Sequence, residues 1–113
     1  MTRISYKTNT GDRYKNFRVD ISGHSGYSVY GSDIVCSAIS MLFAAAGQQL
    51  WEYDREHSFI KYECTLNAGE GHIEAVVNPE KETSSKVEAV FEMLKTGMEM
   101  IAEIYPENVD FTR

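Results

Sequence analysis

Gly23-His24-Ser25-Gly26-Tyr27-Ser28-Val29-Tyr30-Gly31-Ser32-Asp33-Ile34-Val35-Cys36 is the stretch on which the reading of this chain turns. Upstream of it, Tyr14 to Ile21 alternates, with Phe17, Val19 and Ile21 on one face, as a half-buried strand does. Downstream, Ile34 to about Leu50 sets Ile34, Ala38, Leu42 and Ala45 with Val35, Ile39 and Ala46 along a broad apolar stripe at helical spacing. The stretch is therefore a loop that carries the chain from a strand end to a helix start. Gly23, Gly26 and Gly31 give it the backbone freedom to fold back on itself.

The rest of the chain completes one hairpin and adds a second hairpin and helix. Ile4 to Thr8 reads as a short strand closed by the turn residues Asn9 to Asp12, so that it forms a hairpin with the strand from Tyr14. After the polar turn Asp54 to Ser58, a third strand has Ile60, Tyr62, Cys64 and Leu66 as its inner row and Lys61, Glu63 and Thr65 as its outer row. Asn67 to Gly71 is a hairpin turn into a fourth strand with Ile73, Ala75 and Val77 inward. Polar residues from Asn78 to Ser85 lead into a second helix. Its buried face is Val87, Val90, Phe91, Leu94, Met98, Ile101 and Tyr105, and Pro106 ends it. Val109 to Thr112 forms a short last strand. The order ββαββαβ predicts an α+β sandwich, one mostly antiparallel sheet with two helices packed on it. With no repeat, linker or low-complexity tract, residues 1–113 are expected to form a single domain.

Composition narrows the function classes. A formal charge of −6 disfavours a nucleic-acid surface and suits a basic protein partner. No apolar run approaches the ~20 residues of a membrane span, and Met1 to Ser5 lacks the apolar core of a signal peptide. The expectation is a cytoplasmic protein that binds no membrane, with Cys36 and Cys64 reduced. No cysteine pair or histidine–carboxylate spacing suggests zinc, and the glycines do not match a phosphate-binding loop, so no metal and no cofactor are expected.

Cys36 falls in the first turn of the first helix, where unpaired N–H groups and the helix dipole favour a thiolate. On the helical wheel Cys36 and Ser40 border the apolar half rather than fill it. Eleven residues separate His24 from Cys36, a loop that spans roughly 35–40 Å extended and so easily doubles back. A cysteine beside an imidazole is the arrangement of a cysteine hydrolase. The plainer reading makes Cys36 a small packing residue, as Cys64 on its inward strand position is. Asp33 has two readings: helix N-cap, with Ser32 as its competitor, or the group that orients His24. Ser40 either donates a hydrogen bond to the site or tolerates close packing. His57 and His72 read as solvated surface groups, Met93, Met98 and Met100 as core and subunit contact, and Trp51 and Tyr105 have no assignable role.

The run Gly23-His24 … Tyr30-Gly31-Ser32-Asp33-Ile34-Val35-Cys36-Ser37-Ala38-Ile39-Ser40 resembles the Prp family of ribosomal-processing cysteine proteases, whose pattern is roughly G-H-A-x-Y-x-x-x-G-x-D-I-V-C-A-A-x-S. Ser25 and Ser37 stand where alanine is usual. The resemblance implies an α/β sandwich homodimer that removes a short N-terminal extension from the large-subunit ribosomal protein numbered twenty-seven. It also implies Cys36 as nucleophile, His24 as general base and then acid, and Asp33 and Ser40 in support. Gly23, Ser25, Gly26, Tyr27, Tyr30 and Gly31 would belong to a substrate loop that closes over the cleft. Backbone N–H groups at the helix start, that of Cys36 included, are expected to receive the oxyanion. The rival is a non-catalytic, homodimeric, ribosome-associated binding module. A thiol redox sensor would need a resolving cysteine, for which Cys64 is poorly placed.

Overall fold

The computed structural model of the chain describes residues 1–29, 33–67 and 69–113. Its elements follow the expected order: β1 (Thr2–Thr10), β2 (Lys15–Ser22), α1 (Ile34–His57), β3 (Lys61–Asn67), β4 (Glu70–Val77), α2 (Thr83–Ile104) and β5 (Val109–Thr112). The strands form one sheet in the order β3-β4-β2-β1-β5. The β1–β2, β2–β4 and β3–β4 pairs are antiparallel, while β5, returning from α2 to the far edge, pairs parallel with β1. The fold is the α+β class predicted, with a mixed sheet.

Register puts every inward side chain on one face. Val19 pairs with Tyr6 on one side and Ile73 on the other, and Phe17 pairs with Ala75. Over this face α1 lays Val35, Ile39, Phe43, Ala46 and Leu50, and α2 lays Val87, Phe91, Leu94 and Met98. Phe17 and Phe91 stack with ring centroids 5.2 Å apart, joining sheet to helix at the centre of the core. The opposite face is open and ionic: Arg18 pairs with Asp20, and Lys61 with Glu74.

Several expectations change with the third dimension. Helix α1 continues to His57 rather than stopping near Leu50. The Asp54 carbonyl and carboxylate close its end by accepting the N–H groups of Ser58 (2.7 Å) and Phe59 (2.8 Å). Its 24 residues are long and apolar enough, by length and composition, to cross a membrane, against the reading that no run approaches that length. In this fold its apolar stripe is the helix side of the core. Strand β3 alternates as expected, but its inner row is not buried: Cys64 is exposed and Leu66 is 43% exposed. β3 is a sheet edge that α1 covers only in part, with the Tyr62 hydroxyl donating to the Gly47 carbonyl at 2.6 Å. The β3–β4 turn is tighter than read, since Asn67 already pairs with Glu70.

The end of the sheet that bears the loop is tied together over long sequence distances. Gly23 N–H donates to the Gly69 carbonyl at 2.8 Å, and both glycines have positive φ, +85° and +80°. A side chain on Gly23 would also run into the Met1 carbonyl. Removing the central ring tests the core: Phe91→Ala should cost about 3–5 kcal/mol, read as a lower urea midpoint with unchanged slope.

Candidate active site

The start of α1 is organised by one carboxylate. Asp33 is the N-cap, its Oδ1 accepting the N–H groups of Val35 (2.9 Å) and Cys36 (3.0 Å). Its Oδ2 accepts the Ser25 hydroxyl and the N–H groups of Tyr27 (3.0 Å) and Ser28 (3.2 Å). The same residue therefore fixes the helix start and gathers the loop against it. Burial alone pushes the Asp33 carboxyl up. The Ser25 hydroxyl and the N–H groups of Cys36, Ser28 and Val35 outweigh that and hold it at about 2. Ser32 and the expectations for Tyr30 and Gly31 lie outside the described residues.

Cys36 is half-buried, and its sulfur faces Ser25: the Ser25 N–H donates to Sγ at 3.3 Å, and the S–H donates to Ser25 Oγ at 3.3 Å. Two hollows meet at this cysteine. One, of about 260 Å³, has walls of Ile21, Ile39 and Leu66 with Glu70 at its side; the other, of about 450 Å³, lies under Gly26 and Ser28. His24, Cys36 and Ser40 line both. The imidazole rests on the β3–β4 turn, where a methyl group on Gly69 would lie 3.1 Å from His24 Nε2.

The fold thus brings His24, Asp33, Cys36, Ser40, Gly23, Gly26 and Ser25 around one cleft. Tyr27 packs edge-on against Tyr105 with ring centroids 5.4 Å apart, which gives Tyr105 a structural role. The N–H of Cys36 is committed to Asp33, and the Ser37 N–H to the Asp33 carbonyl at 3.0 Å, so the expected oxyanion donor at Cys36 is already taken. Asn108 was not visible as a site residue. Its Nδ2 donates to the Ser25 carbonyl at 3.0 Å across 83 positions of sequence, and no local pattern carries that contact.

Cys64 is separated from this chemistry. A methyl on Gly47 would press on its sulfur at 2.7 Å, and Gly47 lies about 16 Å further along α1 than Cys36, too far for a disulfide. The residue as a whole is exposed, but the sulfur is tucked against the helix, and that burial pushes its thiol up despite the Tyr62 hydrogen bond. Among the described residues, one histidine–carboxylate group has metal-like spacing: Glu63, His72 and Glu74, with donor atoms within 4.8 Å of one another. It sits on the ionic sheet face. There His72 is half-buried rather than solvated, with Nδ1 2.7 Å from Asp20, and the Lys61 ammonium stands 3.0 Å from Glu74 as its cation. His72 and Glu74 share one face of β4, and cross-strand pairing sets Glu63 opposite Glu74, a placement that spacing along one strand does not reveal.

A family model described as Cysteine protease Prp matches residues 1–110. Among solved structures, the essential ribosomal processing protease Prp from S. aureus with a covalently linked product peptide superposes with a TM-score of 0.73 at 19% identity, covering 100% of both chains. The same protease with a substrate peptide gives 0.70 at 18% identity, again over 100% of both chains. SMU.848 from Streptococcus mutans gives 0.65 at 25% identity, over 100% of this chain and 96% of that one. No curated protein matches the chain in sequence.

The carboxylate at the helix start makes a pH-dependent prediction. Its folded value is depressed, so its stabilisation is complete above the ordinary value of 3.8 and is lost as pH falls through about 2. Asp33→Ala should lower stability near neutral pH by about 0.5–2 kcal/mol. Urea unfolding at stepped pH should show the gap to wild type closing on acidification through that window.

Proposed function

The chain belongs to the family of the cysteine protease Prp, and from that membership we propose that it removes an N-terminal extension from the large-subunit ribosomal protein numbered twenty-seven, with Cys36 as nucleophile and His24 as base. The observation that carries the assignment is the placement of Cys36 in the first turn of α1, facing a cleft that it shares with His24. The S. aureus protease of the same fold is described as a ribosomal processing protease, which supports the choice of substrate.

The Cys36 proton passes to His24, and the thiolate attacks the scissile carbonyl. The tetrahedral adduct collapses as His24 protonates the departing amine, leaving a thioester on Sγ. Water, deprotonated by His24, then releases the acyl product and restores the thiol. The helix start and the Ser25 N–H, 3.3 Å from Sγ, support the thiolate. Asp33 supports the site by fixing the helix start, and Ser40 forms wall on both sides of the cysteine. Gly23, Ser25, Gly26 and Tyr27 contribute the near part of the loop that a peptide must cross. The enzyme's net charge of −6 suits a basic ribosomal protein. We assign it to the cytoplasm and to a homodimer. Exposed Met93, beside an apolar hollow of about 440 Å³ between α1 and α2, supports the latter.

The test is cleavage of that ribosomal protein, carrying its native extension, read by intact mass. Wild type should give one shortened product, and Cys36→Ala and His24→Ala should be slower by at least about a thousandfold. Uncut substrate with a verified extension and intact binding would return the protein to the reading as a binding module. Gly69→Ala, which presses on the His24 ring from the turn, should lower kcat by roughly tenfold in a protein that still folds.

A further inference from the structure

Ser25 is 2% exposed, and a buried hydroxyl has one hydrogen and two lone pairs to place. The hydrogen goes to Asp33 Oδ2. The lone pairs face the Tyr27 N–H at 3.4 Å and the S–H of Cys36 at 3.3 Å. Asn108 holds the Ser25 peptide from outside by donating to its carbonyl at 3.0 Å. Sulfur, hydroxyl and carboxylate thus form a chain in which each hydrogen has one place. We propose that the Ser25 hydroxyl holds Cys36 towards its protonated form: with its own hydrogen committed to Asp33, it offers the sulfur only an acceptor. This inference rests on the reading of Cys36 as the nucleophile.

When Cys36 ionises, the S–H proton leaves for His24 and the Ser25 hydrogen stays on Oγ. The thiolate then faces an oxygen lone pair. Turning the O–H towards sulfur would abandon a charged acceptor, and hydrogen bonds to carboxylates are the stronger kind. The backbone N–H of Ser25 acts in the opposite sense, donating to Sγ at 3.3 Å. Alanine at this position keeps the N–H and removes the acceptor, so it isolates the hydroxyl. Of the charged or titratable residues lining the two hollows with Cys36, His24 on the loop favours the thiolate when protonated. Asp33 at the helix start and Glu70 on β4 disfavour it. All three remain in the variant, where Asp33 loses the Ser25 hydroxyl but keeps the N–H groups of Tyr27, Ser28, Val35 and Cys36.

The experiment is iodoacetamide alkylation of the full chain from about pH 5 to about pH 9, followed for each cysteine by peptide mass. In Ser25→Ala the Cys36 profile should move to lower pH, with its rate at neutral pH raised about 3- to 10-fold, the worth of one hydrogen bond. Ser25→Gly should move it the same way, and Cys64 should keep its wild-type rate in both. A Cys36 profile that stays in place or moves to higher pH overturns the proposal. So does acceleration of Cys64 together with Cys36, which would mark an opened fold. Alkylation needs no peptide substrate, so the two readings fail separately. The predicted shift in a protein that cuts nothing would sink the peptidase roles alone, and an unmoved profile in a protein that cuts through Cys36 would sink this inference alone.

Discussion

The Asp33 carboxylate is the constraint on which the site depends. A helix start leaves N–H groups without partners, and a loop of small residues does the same. Asp33 resolves both needs with one side chain: Oδ1 closes the helix, and Oδ2 gathers Ser25, Tyr27 and Ser28. With the helix start fixed, the direction of Cys36 is fixed. With the loop gathered, the Ser25 N–H and hydroxyl come to the sulfur. Desolvation is costly for a buried carboxylate, and it is these donors that keep Asp33 ionised. Asp33 is the helix cap, with an electrostatic reach that extends to the cysteine through Ser25.

A second constraint holds the histidine side. His24 leaves β2 just beyond the point where Gly23 bonds to Gly69, and the ring rests on a turn that has no Cβ to push it away. β1 joins the same corner through Thr2, whose N–H donates to the Asn108 carbonyl at 3.0 Å, while the Asn108 side chain grips Ser25. Strand starts, a hairpin turn and the α2–β5 connection thus converge on one end of the sheet. His24 is carried by a loop and Cys36 by the first turn of α1, and the scaffold around them sets where each stands.

The two faces of the sheet divide the labour. The helix-covered face supplies the core, and its end opens as the cleft, where Ile21, Ile39 and Leu66 continue the apolar interior up to Cys36. The uncovered face carries Asp20, Glu63, His72 and Glu74 with Arg18 and Lys61, a mutually paired set away from the cleft. Leu66 is informative here. As part of an edge strand it is under-buried for a core residue, and its exposed surface forms the wall of the cleft.

The sequence by itself determined the element order, the alternating faces of β2 and β4, the apolar stripes of both helices, and the place of a cysteine in the first helical turn beyond a glycine-spaced loop. These follow from local periodicity, from turn chemistry and from short motifs, which the chain writes in consecutive residues. It did not determine the strand order, the parallel partner of β5, or the exposure of β3, because a strand's pattern shows which way side chains point and not what covers them. Nor did it determine the role of Asn108 or the fit of His24 against Gly69. Those were decided by tertiary structure, since a hydrogen bond between residues 83 positions apart, or the absence of one methyl group beneath an imidazole, exists only once the chain has closed on itself.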